Sequence, residues 1–140
     1  MNVRYDSINP ELFVKNRKKL CKLLKKNSLA IFHSNDEMLR NGDCFFPFRQ
    51  NSDLLYLCGI DQEQSILLLF PDCPNPVYRE VLFIRKTSEH IKIWEGPKYT
   101  KQEASKISGI KTVFWLENFN GILKILTNGI QNIYVNQNEH

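Results

Sequence analysis

The 140-residue sequence lacks the paired cysteine and histidine spacings that bind zinc or form a redox couple. Its four cysteines stand alone, and its three histidines, His33, His90 and His140, share no ligand spacing. It has no apolar run near the ~20 residues that span a bilayer, and its first ten residues carry no apolar signal-peptide core. These absences favour a cytoplasmic protein with reduced thiols and no metal site of its own.

Motifs of self-contained catalysis are also missing. There is no glycine-rich phosphate loop, no Gly-x-Ser-x-Gly elbow and no His-Glu-x-x-His pair. Asp36, Glu37 and Asp43 form a small acidic cluster that could ligate a metal or act as acid and base, but loop capping and surface ion pairing are simpler interpretations. Ser34 and Ser52 have no identifiable histidine partner and are interpreted as caps. The sequence therefore predicts no active site within this chain.

Basic residues are concentrated at the start of the chain. Residues 1–26 hold eight Lys and Arg against two Asp and Glu, whereas the remainder holds eleven against thirteen. Asn9 and Pro10 predict a helix start, and helical spacing predicts an apolar stripe made of Leu12, Phe13, Leu20, Leu23 and Leu24. The lysines of this segment and Arg17 then face outward, either as a solvated surface or as a face for nucleic acid or an acidic partner. No aromatic side chains interleave with them, which favours the solvated surface.

The rest of the pattern alternates between strands and helices. Apolar segments predict strands at 29–32, 66–70, 80–85, 112–116 and 132–136, with the second and third antiparallel. A short helix through Leu54–Leu57 is expected behind a Ser52 cap, with Gly59 ending it. A second helix is expected to begin at Glu103 behind a Thr100 capping box and to end at Gly109, and a third is expected at 117–127. Residues 34–51 are a long connection, and 88–96 form a short turn or helix. The fold class is therefore α/β, a single domain with a mixed sheet of about five strands and helices on its faces.

Residues 40–59 carry the most specific pattern in the chain. They resemble the N-terminal domain of Xaa-Pro aminopeptidases, the aminopeptidase P family, whose pattern is Arg-x-x-Asp-x-x-Tyr-Pro-Phe/Tyr-Arg-Gln-Asn-Ser-Asp-Phe-x-Tyr-Leu-Thr-Gly. The residues in register are Arg40, Asp43, Pro47, Arg49, Gln50, Asn51, Ser52, Asp53, Tyr56 and Gly59. Phe46 and Cys58 depart from the usual tyrosine and threonine. Trp94 and Gly96 are similar to a Trp-x-Gly element of the same family.

The resemblance implies a ribonuclease-H-like fold, with residues 1–140 forming a creatinase/prolidase-type N-terminal domain. It implies a parent enzyme that releases the N-terminal residue preceding a proline. In that family two Mn²⁺ ions are held by two Asp, one His and two Glu of a C-terminal pita-bread catalytic domain. That domain is absent from this chain, so no catalytic or metal-ligating residue is assigned, and the 140 residues alone are expected to be inactive.

The resemblance also suggests contact residues. Trp94 is expected to lie near the substrate cleft, where it could form an aromatic wall, or else to be an ordinary core aromatic. Contacts with the catalytic domain or a second subunit are expected at Arg40, Asp43, Arg49, Gln50, Asn51 and Asp53. For the segment from Arg49 to Asp53, a structural role in the loop is favoured over substrate contact.

The implied partners are the protein's own C-terminal catalytic domain, a second or further copy in a homodimer or homotetramer, and peptides with proline in second position. Neither nucleic acid nor a membrane is expected as a partner. The alternative is a non-catalytic protein-binding module, because the same fold stands at the head of a histone chaperone and transcription-elongation subunit. The Arg-Gln-Asn-Ser-Asp run and Trp94 favour the peptidase.

Overall fold

A five-stranded mixed sheet forms the centre of the domain. The computed structural model describes residues 8–34, 39–40, 44–45, 52–60, 62, 64–85, 99–128 and 130–135, with the backbone alone at 39–40 and 44–45. The strands in chain order are β1 (Ser28–His33), β2 (Leu39–Arg40), β3 (Cys44–Phe45), β4 (Ile66–Leu69), β5 (Glu80–Ile84), β6 (Thr112–Trp115) and β7 (Asn132–Val135). The main sheet has the order β6-β5-β4-β1-β7. The predicted α/β class and sheet of about five strands are confirmed.

Neighbouring strands pair in different ways at the centre and at the edges of the sheet. The central pairs β1–β4 and β4–β5 are antiparallel, as predicted for β4 and β5, whereas the edge pairs β1–β7 and β5–β6 are parallel. β2 and β3 form a separate antiparallel ladder, with Leu39 opposite Phe45 and Arg40 opposite Cys44. This ladder lies in the segment predicted as a connection, because strands of two residues are too short to show alternation.

Four helices are described: α1 (Pro10–Cys21), α2 (Ser52–Cys58), α3 (Lys101–Ser108) and α4 (Phe119–Leu126). The predicted start of α1 is confirmed, since Asn9 Oδ1 accepts from the Glu11 amide at 2.9 Å. The capping box of α3 is also confirmed: Thr100 Oγ1 accepts from Glu103 N at 3.0 Å, and the Glu103 carboxylate accepts from Thr100 N at 2.8 Å. Within the described ranges, no helix is long and apolar enough to cross a bilayer.

The two faces of the sheet bury separate apolar clusters, because successive side chains of a strand point to opposite sides. One cluster joins α1, α2 and α3 to strand residues that include Ala30, Leu67 and Leu82. The other joins α4 to the alternate positions, and there the rings of Phe83 and Phe119 meet edge to face at 5.1 Å. The result is a three-layer arrangement with three helices on one side and α4 on the other.

The buried face of α1 differs from the predicted stripe. Phe13 is buried as expected, but Leu12 and Leu23 are 49% and 80% exposed, and Arg17, predicted to face outward, is 0% exposed. The reason is geometric, because Phe13, Arg17 and Leu20 share one side of the helix at i, i+4 and i+7, whereas Leu12 lies off that side. α1 also ends at Cys21, so Leu23 belongs to the turn that follows.

Gly59 allows α2 to pack tightly under α1. It follows α2 with φ of +71°, and its amide donates to the Leu55 carbonyl at 3.0 Å. A Cβ at Gly59 would lie 2.6 Å from Cε2 of Phe13, well inside van der Waals contact. Position 59 therefore requires glycine for its left-handed backbone and for the space that the Phe13 ring occupies.

Substitution of Gly59 by alanine should destabilise the fold by about 2–4 kcal/mol, because backbone strain and overlap with the Phe13 ring act together. Gly121→Ala is the matched control: Gly121 lies in α4, and a Cβ there would meet nothing within 4 Å. That control should gain about 0.5–1 kcal/mol from helix propensity. Urea unfolding measures both free energies, and equal effects from the two variants would contradict the packing described here.

Candidate functional site

The structure describes the second half of the segment at 40–59 in most detail. Asp53 lies in the first turn of α2 with an exposed side chain, and Arg40 lies in β2, where its backbone pairs with Cys44. The other predicted contact residues lie outside the described residues: Asp43, Arg49, Gln50, Asn51 and Trp94. The described part of the site therefore consists of α2 and the elements that hold it.

The buried side chain of Arg17 joins the ends of two helices. Its Nη1 donates to the carbonyls of Leu57 in α2 and Ser108 in α3, each at 2.8 Å, and its Nε donates to Glu80 Oε2 at 3.0 Å. The last carbonyls of a helix have no partner within the helix and carry partial negative charge. One guanidinium of α1 thus satisfies both helix ends and ties them to the start of β5. We call this arrangement the Arg17 clamp.

A second polar side chain of α1 adds to the clamp. Asn16 Nδ2 donates to the Tyr56 carbonyl at 2.7 Å, so consecutive residues of α1 hold consecutive carbonyls of α2. The sequence interpretation missed both Asn16 and Arg17 as packing residues. The signal that could have found them is their position between Phe13 and Leu20 on one side of the helix.

With its underside held in this way, α2 presents an outer face to solvent. Leu54, Leu57 and Cys58 are buried, whereas Leu55 and Tyr56 are 38% and 51% exposed. This face directly follows the Arg-Gln-Asn-Ser-Asp run. A partly apolar helix face of this kind has the composition of a surface that contacts another protein.

An apolar groove of about 460 Å³ lies between α1, the end of α2 and α3. Its lining residues are Ile8, Pro10, Phe13, Gly59, Tyr99, Glu103, Lys106 and Ile107. The structure thereby brings Gly59, which ends the 40–59 segment, close to Tyr99, whose amide donates to Gln62 Oε1 at 3.0 Å. The groove can accept an apolar side chain, and the one carboxylate in its lining is already engaged in the α3 capping box.

Across the described ranges, no three His, Cys, Asp or Glu side chains come together to hold a metal ion. Ser34 is buried and structural, since its Oγ accepts from the Ser65 amide at 3.0 Å. The acidic cluster of Asp36, Glu37 and Asp43 lies outside the described residues.

Burial also suppresses thiol chemistry on this side of the sheet. Desolvation raises the pKa of Cys58 from 9.0 to about 12, and its Sγ donates to the Leu54 carbonyl at 3.2 Å. Desolvation, with the Glu80 charge nearby, raises the pKa of Cys21 to about 11. The nucleophilic form of a cysteine is the thiolate, so neither residue is a candidate nucleophile at neutral pH.

Comparison with known proteins identifies the same family as the motif. The family model described as "Aminopeptidase P, N-terminal domain" matches residues 13–134. The Xaa-Pro aminopeptidase of Haemophilus influenzae is 29% identical over 119 residues, which cover 84% of this chain and 27% of that protein. The Xaa-Pro aminopeptidase of Escherichia coli is 28% identical over 135 residues, which cover 95% of this chain and 30% of that protein.

The fold is shared with solved structures. A Bacillus anthracis protein assigned as an aminopeptidase P superimposes with a TM-score of 0.86 at 27% identity, over 95% of this chain and 32% of that one. The chain therefore spans less than a third of the length of the relatives it matches. The family match at residues 13–134 runs from α1 into β7.

Replacing Arg17 by methionine should lower the free energy of unfolding by about 2–4 kcal/mol, because two buried carbonyls lose their donor. Glu80 is 34% exposed and can regain water, so loss of that ion pair adds little. Lys18→Met, at the neighbouring exposed position, should change stability by less than about 0.5 kcal/mol. Urea titration of both variants measures the two losses in the free energy of unfolding. Equal losses would show that the Arg17 clamp contributes no more to stability than an exposed lysine does.

Stability should also fall at high pH through Cys58. Its folded pKa lies above the unfolded value, so its contribution is complete below pH 9.0 and is lost as pH rises toward about 12. Unfolding free energies measured across that range should decline less steeply in Cys58→Ala than in the unsubstituted chain. Alkylation by iodoacetamide near neutral pH, read by mass spectrometry, should leave Cys58 unmodified until the chain is unfolded. Rapid modification of native Cys58 would contradict its burial.

Proposed function

Because this chain belongs to the aminopeptidase P N-terminal domain family, we propose that it is the non-catalytic N-terminal domain of a cytoplasmic Xaa-Pro aminopeptidase. Such an enzyme releases the N-terminal residue that precedes a proline. The match over residues 13–134 carries the proposal. The uninterrupted run from Arg49 to Asp53 and the Xaa-Pro aminopeptidase names of the relatives support it.

The proposal assigns the chemistry to a catalytic region outside this domain. That region would hold two Mn²⁺ ions, which supply a metal-activated water and polarise the scissile carbonyl. The described residues of this chain offer no set of donors for such ions. Cys58, whose pKa is raised, and Ser34, whose Oγ accepts from the Ser65 amide, are not candidate nucleophiles under this proposal.

The role proposed for this domain is to seat against the catalytic region and complete the substrate cleft. The Arg17 clamp supports this role, because it holds α2 by two consecutive carbonyls and so orients the outer face that carries Asp53, Leu55 and Tyr56. A surface ordered before contact loses less entropy on association. The remaining contact residues of the proposal are Arg40, Asp43, Arg49, Gln50 and Asn51, facing the catalytic region or a second subunit of a homodimer or homotetramer.

Trp94 is proposed as an aromatic wall of the substrate cleft. An indole ring offers a large apolar surface that can pack on the first side chain of a peptide.

We expect the purified 140-residue chain to release no amino acid from an Xaa-Pro peptide, with or without added Mn²⁺, because its described residues form no metal-binding group and the proposal places the chemistry outside this domain. The E. coli enzyme assayed in parallel is the positive control. Turnover by this chain alone would contradict the assignment of a non-catalytic domain.

A domain exchange tests the positive part of the proposal. This chain would replace the matched segment of the E. coli enzyme, about 30% of its length, and the catalytic region expressed alone would serve as the reference. The chimera should hydrolyse Xaa-Pro peptides faster than that reference, and Trp94→Ala within it should raise KM with little change in kcat. A folded chimera no more active than the catalytic region alone would count against the seating role.

A further inference from the structure

The outward side of α1 carries a row of lysines, here called the lysine stripe: Lys15, Lys18, Lys19 and Lys22. All four side chains are exposed, and their i, i+3, i+4 and i+7 spacing places them on one side of the helix. The opposite side is the one that buries Phe13 and Arg17. The turn after the helix extends the stripe with two more exposed lysines, Lys25 and Lys26.

An exposed leucine stands at the end of this stripe. Leu23 is 80% exposed, the highest value among the large apolar side chains of the described residues. Leu12, in the first turn of α1, is 49% exposed. The interpretation of the lysine side as a simple solvated surface assumed that Leu23 is buried. Leu23 is exposed, so that interpretation does not account for it.

The turn that presents Leu23 is tied to its surroundings. The Leu23 amide donates to the Leu20 carbonyl at 2.9 Å, and the Asn27 amide donates to Asp72 Oδ2 at 2.8 Å. The Asn27 carbonyl in turn accepts from Gln131 N at 2.9 Å, ahead of β7. Asp72 is the acidic group at this end, and its carboxylate is engaged with the backbone. The exposure of Leu23 is therefore built into a hydrogen-bonded turn.

We infer that the lysine stripe and Leu23 form a docking surface for an anionic lipid bilayer. Clustered lysines are attracted to acidic headgroups, and a protruding apolar side chain can enter the boundary between headgroups and acyl chains. A nucleic acid uses the lysines but offers no apolar layer for Leu23, and among the described residues of α1 and its following turn no exposed aromatic side chain is available to stack on bases. The docking is peripheral, with the domain resting on the surface.

Vesicle co-sedimentation of the 140-residue chain tests this inference. The probes are phosphatidylcholine vesicles with and without about one-third phosphatidylserine, at low salt and at roughly 0.5 M salt. We expect binding to the phosphatidylserine vesicles only, and loss of that binding at high salt. Lys18→Glu/Lys22→Glu should weaken the partition coefficient by at least about 25-fold, given roughly fivefold for each lysine removed. Leu23→Ser should weaken it about tenfold.

Matched controls come from other exposed positions. Lys111→Glu/Lys124→Glu changes the net charge equally, and Ile125→Ser removes a 60%-exposed apolar side chain, so neither should reduce binding to the same extent. Circular dichroism confirms that each variant is folded. Absence of binding at low salt, or equal losses in the control variants, would overturn the inference. The inference would also be overturned if duplex DNA bound as tightly as the vesicles and Leu23→Ser changed neither the DNA binding nor the vesicle binding. That result would indicate a surface that binds polyanions in general.

Discussion

The buried guanidinium of Arg17 is the contact on which the helical layer depends. It lies where three elements meet, and it pairs the last carbonyls of α2 and α3 while its Nε reaches Glu80 at the start of β5. A buried charge is costly unless it is paired and hydrogen-bonded, and the bonds made by Nη1 and Nε set the positions of these helices together, whereas the buried Nη2 has no hydrogen-bond partner among the described residues. Gly59 and Gly109, with φ of +71° and +76°, let both helix ends approach α1 closely enough for this.

This constraint fixes α2, the second half of the segment at 40–59. The helix is packed and clamped on one side, and its Leu55 and Tyr56 side chains are exposed on the other. The raised pKa values of Cys21 and Cys58 follow from the same burial. The proposed seating role rests on this arrangement, and the chain spans less than a third of the length of the relatives it matches.

Local signals in the sequence predicted local structure well. Asn9, Thr100 and Glu103 cap the helices as their spacing indicated, because a cap involves residues only a few positions apart. The central strands were recognisable because both faces of the sheet are covered, which requires unbroken apolar runs. The β2–β3 ladder was missed because each of its strands has only two residues, too few to show an alternating pattern.

The sequence by itself determined the family, the α/β class and the helix caps, since each is encoded in contiguous residues or in regular spacing. Only the tertiary structure decided which polar residue is buried and which apolar residue is not. Arg17 resembles the lysines around it in sequence, yet it is buried because two helix ends and Glu80 converge on its guanidinium. Leu23 resembles a core residue, yet it is exposed because α1 ends at Cys21 and the turn carries it outward. Both outcomes depend on partners about 40 or more positions away or on a change of chain direction, which a helical period does not record.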